Sequence, residues 1–156
     1  MNFSKPTLNI GVVGSGFMGK THVYGYAIAD RVFDLPYKLN LISIADINSK
    51  AANSAGKKLG FQKSTANWMS LIHDPELDLI SITAPNSLHK DISIAALEAN
   101  KHVYCEKPLA PTLEETQEMV KASRRSNKKT QVGFNYLSNP MFYTAKEIIA
   151  NGDLGE

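Results

Sequence analysis

A doubly wound α/β fold, with one parallel sheet covered by helices on both faces, is predicted from three observations. Short apolar runs alternate with segments of helical period along the chain. The runs are continuously apolar rather than alternating, as strands buried on both faces require. A polar or glycine-rich cluster follows each run, so the clusters share one edge of the sheet.

The elements follow in order. Leu8–Val13 is a strand, followed by a glycine-rich turn and a helix to about Asp30. Arg31–Lys38, with Pro36, is an inserted loop. Leu39–Ala45 is the second strand, with a helix from Ser49 to Leu59 capped by Asn48. Trp68–Ile72 is a short helix. Leu79–Ala84 is the third strand. Its helix, Ser87–Ala99, places Leu88, Ile92, Ala95, Ala96 and Ala99 on one face. His102–Cys105 is the fourth strand, and Thr112-Leu113-Glu114-Glu115 is a capping box that opens the next helix. Gln131–Phe134 is the fifth strand. The last helix runs from Pro140 to Ala150 and stops at Gly152, with Met141 and Phe142 read as packing residues.

Composition narrows the function classes. The chain has 156 residues, 43% hydrophobic and 21% charged, enough for one domain with a real core. A net charge of +2 is too small to argue for a nucleic-acid or membrane surface, and neither partner is expected. The basic run from Lys121 to Lys129 ends a helix, where cations suit the helix dipole, and reads as a solvated face. Cys105 is the one cysteine, which excludes an internal disulfide and fits a reducing compartment, the cytoplasm. It sits in a strand and reads as core. No run reaches the ~20 apolar residues of a membrane span. His22, His73 and His102 are scattered without metal-ligand spacing, so no metal is expected.

The turn after the first strand carries a recognisable motif. Gly14, Gly16 and Gly19 stand in G-x-G-x-x-G spacing between a strand and a helix. The first serves the tight turn, the second the approach of a pyrophosphate, and the third close packing of helix on strand. Ser15 lies within the loop, and amides near Phe17 and Met18 are available to phosphates. Asp46 ends the second strand, where a carboxylate takes the adenosine ribose hydroxyls. It lies further from Gly19 than the usual ~20 residues, and the Arg31–Lys38 loop accounts for the excess. A carboxylate there repels a 2′-phosphate, and no arginine follows, so NAD is expected over NADP. This is a Rossmann-type dinucleotide site.

The other clusters on that edge extend it into one crevice. Ala84, Pro85, Asn86, Ser87 and His89 follow the third strand, Glu106-Lys107-Pro108 the fourth, and Asn135-Tyr136 the fifth. Lys107 is the candidate for chemistry, since an ammonium there can hold a substrate hydroxyl and stabilise a developing alkoxide. Glu106 either neutralises Lys107 or accepts from ribose hydroxyls. Asn86 and Ser87 also suit a helix cap, and His89 a structural hydrogen bond in the first helical turn.

These residues resemble a known family. "GVVGSGFMGKTH", "SIAD", "ITAPNSLH", "HVYCEKPLA", "QVGFNY" and "GDLGE" resemble, in order, the N-terminal domain of the glucose–fructose oxidoreductase / inositol dehydrogenase / MocA family. "FMGKTH", "CEKPLAP" and "NYLSNP" are similar to the levoglucosan-dehydrogenase-like sugar dehydrogenases within it. The resemblance implies NAD(P)-dependent oxidation of a sugar, anhydrosugar or cyclitol hydroxyl. It implies Lys107 as the active-site lysine, with Glu106 and Asn86 near the nicotinamide and its ribose. It also implies a cis Lys107–Pro108 peptide. Leu137 departs from the arginine that many relatives carry after "NY".

The family continues into a second α/β domain that supplies an Asp and a His, most of the substrate pocket and the homo-oligomer interface. On this reading residues 1–150 are the NAD-binding domain and residues 151–156 begin the junction. The chain is then truncated, and nearly inactive alone. Two other readings remain. One is a non-catalytic NAD-sensing or regulatory module, and the other a methyltransferase, which gives no reason for Glu106-Lys107-Pro108.

Overall fold

The structure is a computed structural model and describes residues 5–155. Its first half comprises β1 (Thr7–Val13), α1 (Phe17–Val32), β2 (Lys38–Ala45), α2 (Ser49–Leu59), β3 (Lys63–Thr65) and α3 (Trp68–Ile72). The second half comprises β4 (Leu79–Ile82), α4 (His89–Glu98), β5 (His102–Cys105), α5 (Leu113–Arg125), β6 (Thr130–Val132) and α6 (Pro140–Ala150). Single 3-10 turns at Asn86–Leu88 and Asn135–Ser138 precede α4 and α6. The six strands form one parallel sheet in the order β3-β2-β1-β4-β5-β6. Strand order reverses between β1 and β4, which opens a crevice beyond their carboxyl ends.

Local chemistry explains most element boundaries. Asn48 caps α2, accepting from Lys50 N at 3.0 Å and Ala51 N at 3.2 Å, and Gly60 closes it in the left-handed region at φ 80°. Thr112 caps α5 through Glu115 N at 3.2 Å. The expected capping box is only half made, because the Glu115 carboxylate turns toward Lys90 on α4 instead. Between β1 and β2 the register slips after Ile10, leaving Ile42 as the extra residue of a bulge. Two residues apart on one strand, Ile42 and Ile44 therefore reach different core clusters. One cluster joins α3, α4 and α5 to the sheet through Leu71, Ile92 and Met119. The other joins α1 and α2 through Val23 and Ala55.

Three expectations are corrected. The sheet has six strands, not five, because Lys63-Ser64-Thr65 forms a polar edge strand with no apolar run to mark it. The helix expected over Ser87–Ala99 is broken, and Leu88 is exposed toward the ligand edge rather than packed with Ile92 and Ala96. Met141 and Phe142 are 70% and 51% exposed, since no described element covers α6.

Burial also sets an alkaline limit on stability. It pushes the Tyr26 phenol up to about 12, against a hydrogen bond to Ser81, and the Cys105 thiol up to about 11. The folded chain keeps protons there that the unfolded chain releases. Stability is therefore full below about pH 9 and falls as pH rises toward 12, by on the order of 2–3 kcal/mol for Tyr26. Urea melts at pH 8 and pH 11 should show this loss, and Tyr26→Phe combined with Cys105→Ala should remove much of it. Equal stability of the parent at both pH values would contradict the assignment.

Candidate functional site

The glycine loop is built to leave space on its outer side. Gly14 takes φ 104°, and a Cβ there would lie 2.7 Å from the Thr83 backbone. A Cβ on Gly19 would run into the Gly14 carbonyl oxygen. Thr83 Oγ1 reaches across from β4 to Val13 O at 3.0 Å and Gly14 O at 2.9 Å, holding the turn down. At Gly16 the situation is opposite, with no protein atom within 4 Å of a Cβ. Nothing in the protein itself requires glycine there, so the open space fits an approaching pyrophosphate. α1 then begins at Phe17 with no side-chain cap and no acid in its first turn. Its first amides are free for an anion.

Asp46 is wired to this loop. Its Oδ2 accepts from Ser15 N at 3.0 Å and from the Ser15 hydroxyl, and its Oδ1 accepts from Asn48 N at 3.0 Å. Burial alone would raise this carboxyl. The hydrogen bonds from Ser15 and Asn48 outweigh burial and hold it below the usual carboxylate range. The anion therefore persists at neutral pH, and its contribution to stability is lost only as pH falls through the depressed value.

Beside Asp46 lies a cleft of about 330 Å³ lined by Ile47, Ala66, Trp68, Pro85 and Leu88. Ile47 is 94% exposed there. These walls suit a flat apolar ring such as adenine. Sequence reasoning missed Ile47, Ala66, Trp68 and Leu88 as site residues. A large apolar residue directly after the strand-end acid was the one available signal.

Beyond β4, Pro85, Asn86 and Ser87 are exposed, and the Asn86 and Ser87 side chains make no capping hydrogen bond, so they are free for a ligand. His89 points the other way. It is 2% exposed, with Nδ1 2.9 Å from Pro108 O and Nε2 2.8 Å from Ala84 O. The ring ties the loop after β4 to the loop after β5 rather than facing the crevice. His89→Leu removes the ring from between the two carbonyls and leaves the one that accepts its N–H unpaired, which should cost about 1–3 kcal/mol, read as a drop in thermal midpoint. An unchanged midpoint would refute this tethering role.

Glu106 and Lys107 part company. Glu106 turns inward and is 7% exposed, with Oε1 2.9 Å from His22 Nε2 on α1 and Oε2 accepting from Lys107 N at 3.1 Å. His22 Nδ1 lies 2.8 Å from Ser81 Oγ, which accepts from Tyr26 Oη at 3.1 Å. Every bond is satisfied by a neutral His22 protonated on Nε2, with hydroxyl protons running from Tyr26 to Ser81 to His22. The His22 ring stacks on Tyr104 at 4.8 Å. A Cβ on Gly133 would sit 2.6 Å from Glu106 Oε1, so glycine there makes room for the carboxylate. Lys107 is exposed, and its ammonium makes no hydrogen bond or ion pair among the described residues. Of the two roles open to Glu106, neutralisation of Lys107 is not made, because His22 and a backbone amide hold the carboxylate, and its burial turns it away from a ribose in the crevice as well. The Lys107–Pro108 peptide is cis. Asn135 and Tyr136 are exposed in the turn after β6. Nothing local to His22, Ser81 or Tyr104 marked them in the sequence, since their meeting is tertiary.

Comparison with known proteins agrees with this geometry. The oxidoreductase family with the NAD-binding Rossmann fold matches residues 8–134. Levoglucosan dehydrogenase of Pseudarthrobacter phenanthrenivorans is 42% identical over 152 residues, covering 95% of this chain and 38% of that protein. Inositol 2-dehydrogenase of Salmonella typhimurium is 32% identical, covering 96% and 44%. Among solved structures, levoglucosan dehydrogenase in complex with NADH superposes with a TM-score of 0.91 at 42% identity, covering 96% of this chain and 41% of that one. An NAD-binding oxidoreductase from Klebsiella pneumoniae gives 0.89 at 46%, covering 96% and 40%. The chain thus spans roughly two fifths of the length of these relatives. No described helix is long and apolar enough to cross a membrane. By family match, by sheet topology and by the glycine loop, the chain belongs to the oxidoreductase family with the NAD-binding Rossmann fold, known by its glucose–fructose oxidoreductase, inositol dehydrogenase and MocA members.

Proposed function

We propose that this chain is the cofactor domain of an NAD-dependent dehydrogenase that oxidises a hydroxyl of a sugar, anhydrosugar or cyclitol. The observation that carries the reading is the exposed Lys107 ammonium, unpaired among the described residues, on the same edge as the glycine loop. The levoglucosan and inositol dehydrogenases among its relatives point to the substrate class. Bound NAD supplies the acceptor for the hydride. The loop from Gly14 to Gly19 and the amides of Phe17 and Met18 hold the pyrophosphate, while Asp46 takes the adenosine ribose. Asn86 and Asn135, both exposed, would contact the nicotinamide end. Lys107 binds the substrate hydroxyl and steadies the negative charge that grows on its oxygen as the proton leaves. On this reading the base that takes the proton, and most of the sugar pocket, would belong to the part of the relatives that this chain does not span.

A hybrid tests this reading. The chain is put in place of the matching part of levoglucosan dehydrogenase, and NADH formation is followed with levoglucosan and with myo-inositol. Sugar-dependent NADH should form, and Lys107→Ala should cut turnover at least a hundredfold while NAD affinity stays within about threefold. Turnover unchanged by Lys107→Ala would remove the lysine from the chemistry. A hybrid that binds NAD without turning over would favour a sensing module. The 156-residue chain alone should give only trace activity, and robust sugar oxidation by it would overturn the division of labour.

A further inference from the structure

A second cavity lies between α4, α5 and strands β5 and β6, and none of the residues lining the Asp46 cleft contributes to it. Its volume is about 270 Å³. At roughly 30 Å³ per water-sized group, it accommodates a ligand on the order of ten heavy atoms. The walls are apolar, from Val103, Leu109, Met119 and Val132. Of the five polar side chains that also line it, Ser123 pairs with Thr130 and Gln131 donates to Val132 O, which leaves Ser93 and Arg124. Ser93 is 3% exposed, and beyond a weak contact with the Cys105 thiol its hydroxyl has no hydrogen-bond partner among the described residues. A buried hydroxyl left unpaired is costly, and alanine would fill the same place without that cost. Arg124 lines the cavity from the exposed side and makes no ion pair among the described residues.

We propose that this cavity binds a small aromatic carboxylate that bears a hydroxyl group. The carboxylate pairs with the Arg124 guanidinium, the ring packs against Met119 and the aliphatic walls, and the hydroxyl pairs with Ser93 Oγ. Cys105 and Leu109 line the cavity on either side of Glu106-Lys107-Pro108, so an occupant touches both flanks of the segment that carries Lys107.

Calorimetry on the 156-residue chain with three probes tests this. 4-Hydroxyphenylacetate has both polar ends, phenylacetate lacks the hydroxyl, and 4-hydroxyphenylethanol lacks the carboxylate. The first should bind, and each of the others should bind about tenfold more weakly. Arg124→Gln should erase the advantage over 4-hydroxyphenylethanol, and Ser93→Ala the advantage over phenylacetate. Saturating NAD should leave binding intact. Equal affinity for all three probes, no binding at 10 mM (about the weak limit for such small ligands), or displacement by NAD would overturn the assignment. Both variants should keep the parent's thermal midpoint within a few degrees, because Arg124 is exposed and Ser93→Ala removes an unpaired group.

Discussion

Gly16→Ala leaves the fold as stable as the parent and costs at least tenfold in NAD affinity, whereas Gly19→Ala destabilises the chain before any ligand is added. The two glycines look equivalent in the motif, but the structure separates their duties. A methyl on Gly16 meets no protein atom within 4 Å, so thermal melting of the apo chain should not register it. That methyl occupies the space through which a pyrophosphate reaches the first amides of α1, so it opposes binding alone. A methyl on Gly19 collides with the Gly14 carbonyl oxygen, which is backbone and cannot swing aside. Relief requires α1 to move off β1, which loosens the Thr83 hydrogen bonds to Val13 and Gly14 as well. Differential scanning fluorimetry and an NAD titration on the two variants read these effects separately. Equal losses of stability in both would mean that Gly16 serves the fold rather than a ligand.

Glu106→Ala is expected to destabilise by about 3–5 kcal/mol, a large share of the 5–15 kcal/mol typical of a domain. The substitution removes the acceptor for the buried His22 Nε2–H and the half-buried Lys107 N–H, and leaves a cavity under Gly133. It also cuts the chain of bonds from Tyr26 through Ser81 and His22 that fastens α1 to β4 and β5. Glu106→Gln keeps one acceptor and should cost markedly less. Gly133→Ala attacks the same carboxylate from the opposite side. It should show a comparable defect, suppressed when combined with Glu106→Ala because the clash then has no partner. Denaturant melts of the three variants and the double variant check this, and additive losses in the double variant would contradict the shared site.

This arrangement changes what the Glu106-Lys107-Pro108 triplet means. Read from the chain alone, an acid beside a base suggests mutual neutralisation. In the fold the backbone turns between them. Glu106 continues the alternation of β5 into the interior, and Lys107 is the first residue past the strand to face solvent. The acid positions the base through the backbone and leaves its ammonium free.

Much of the fold was legible because its signals are local. Continuous apolar runs marked β1, β2, β4 and β5, and Asn48 and Thr112 announced two helix starts. The polar β3 carried no such signal, and pairing with β2 alone makes it a strand. Of the candidate site, the glycine turn and the strand-end position of Asp46 were readable because strand ends and tight turns leave a trace in sequence. The Tyr26–Ser81–His22–Glu106 chain was not, as its members come from three elements brought together only by packing. His89 was ambiguous for the same reason, since its two carbonyl partners lie on different loops. Met141 and Phe142 misled because helical period cannot say whether a partner covers the apolar side.

The central claim is that this edge of the sheet binds NAD and selects it through Asp46. Trp68 is the one tryptophan in the chain and lines the Asp46 cleft, so its fluorescence reports occupancy directly. Titration with NAD and with NADP should give saturable quenching by both, with NADP about tenfold or more weaker because its 2′-phosphate meets the Asp46 carboxylate, and Asp46→Asn should narrow that gap. No response to NAD, or NADP binding as tightly as NAD, would contradict the account.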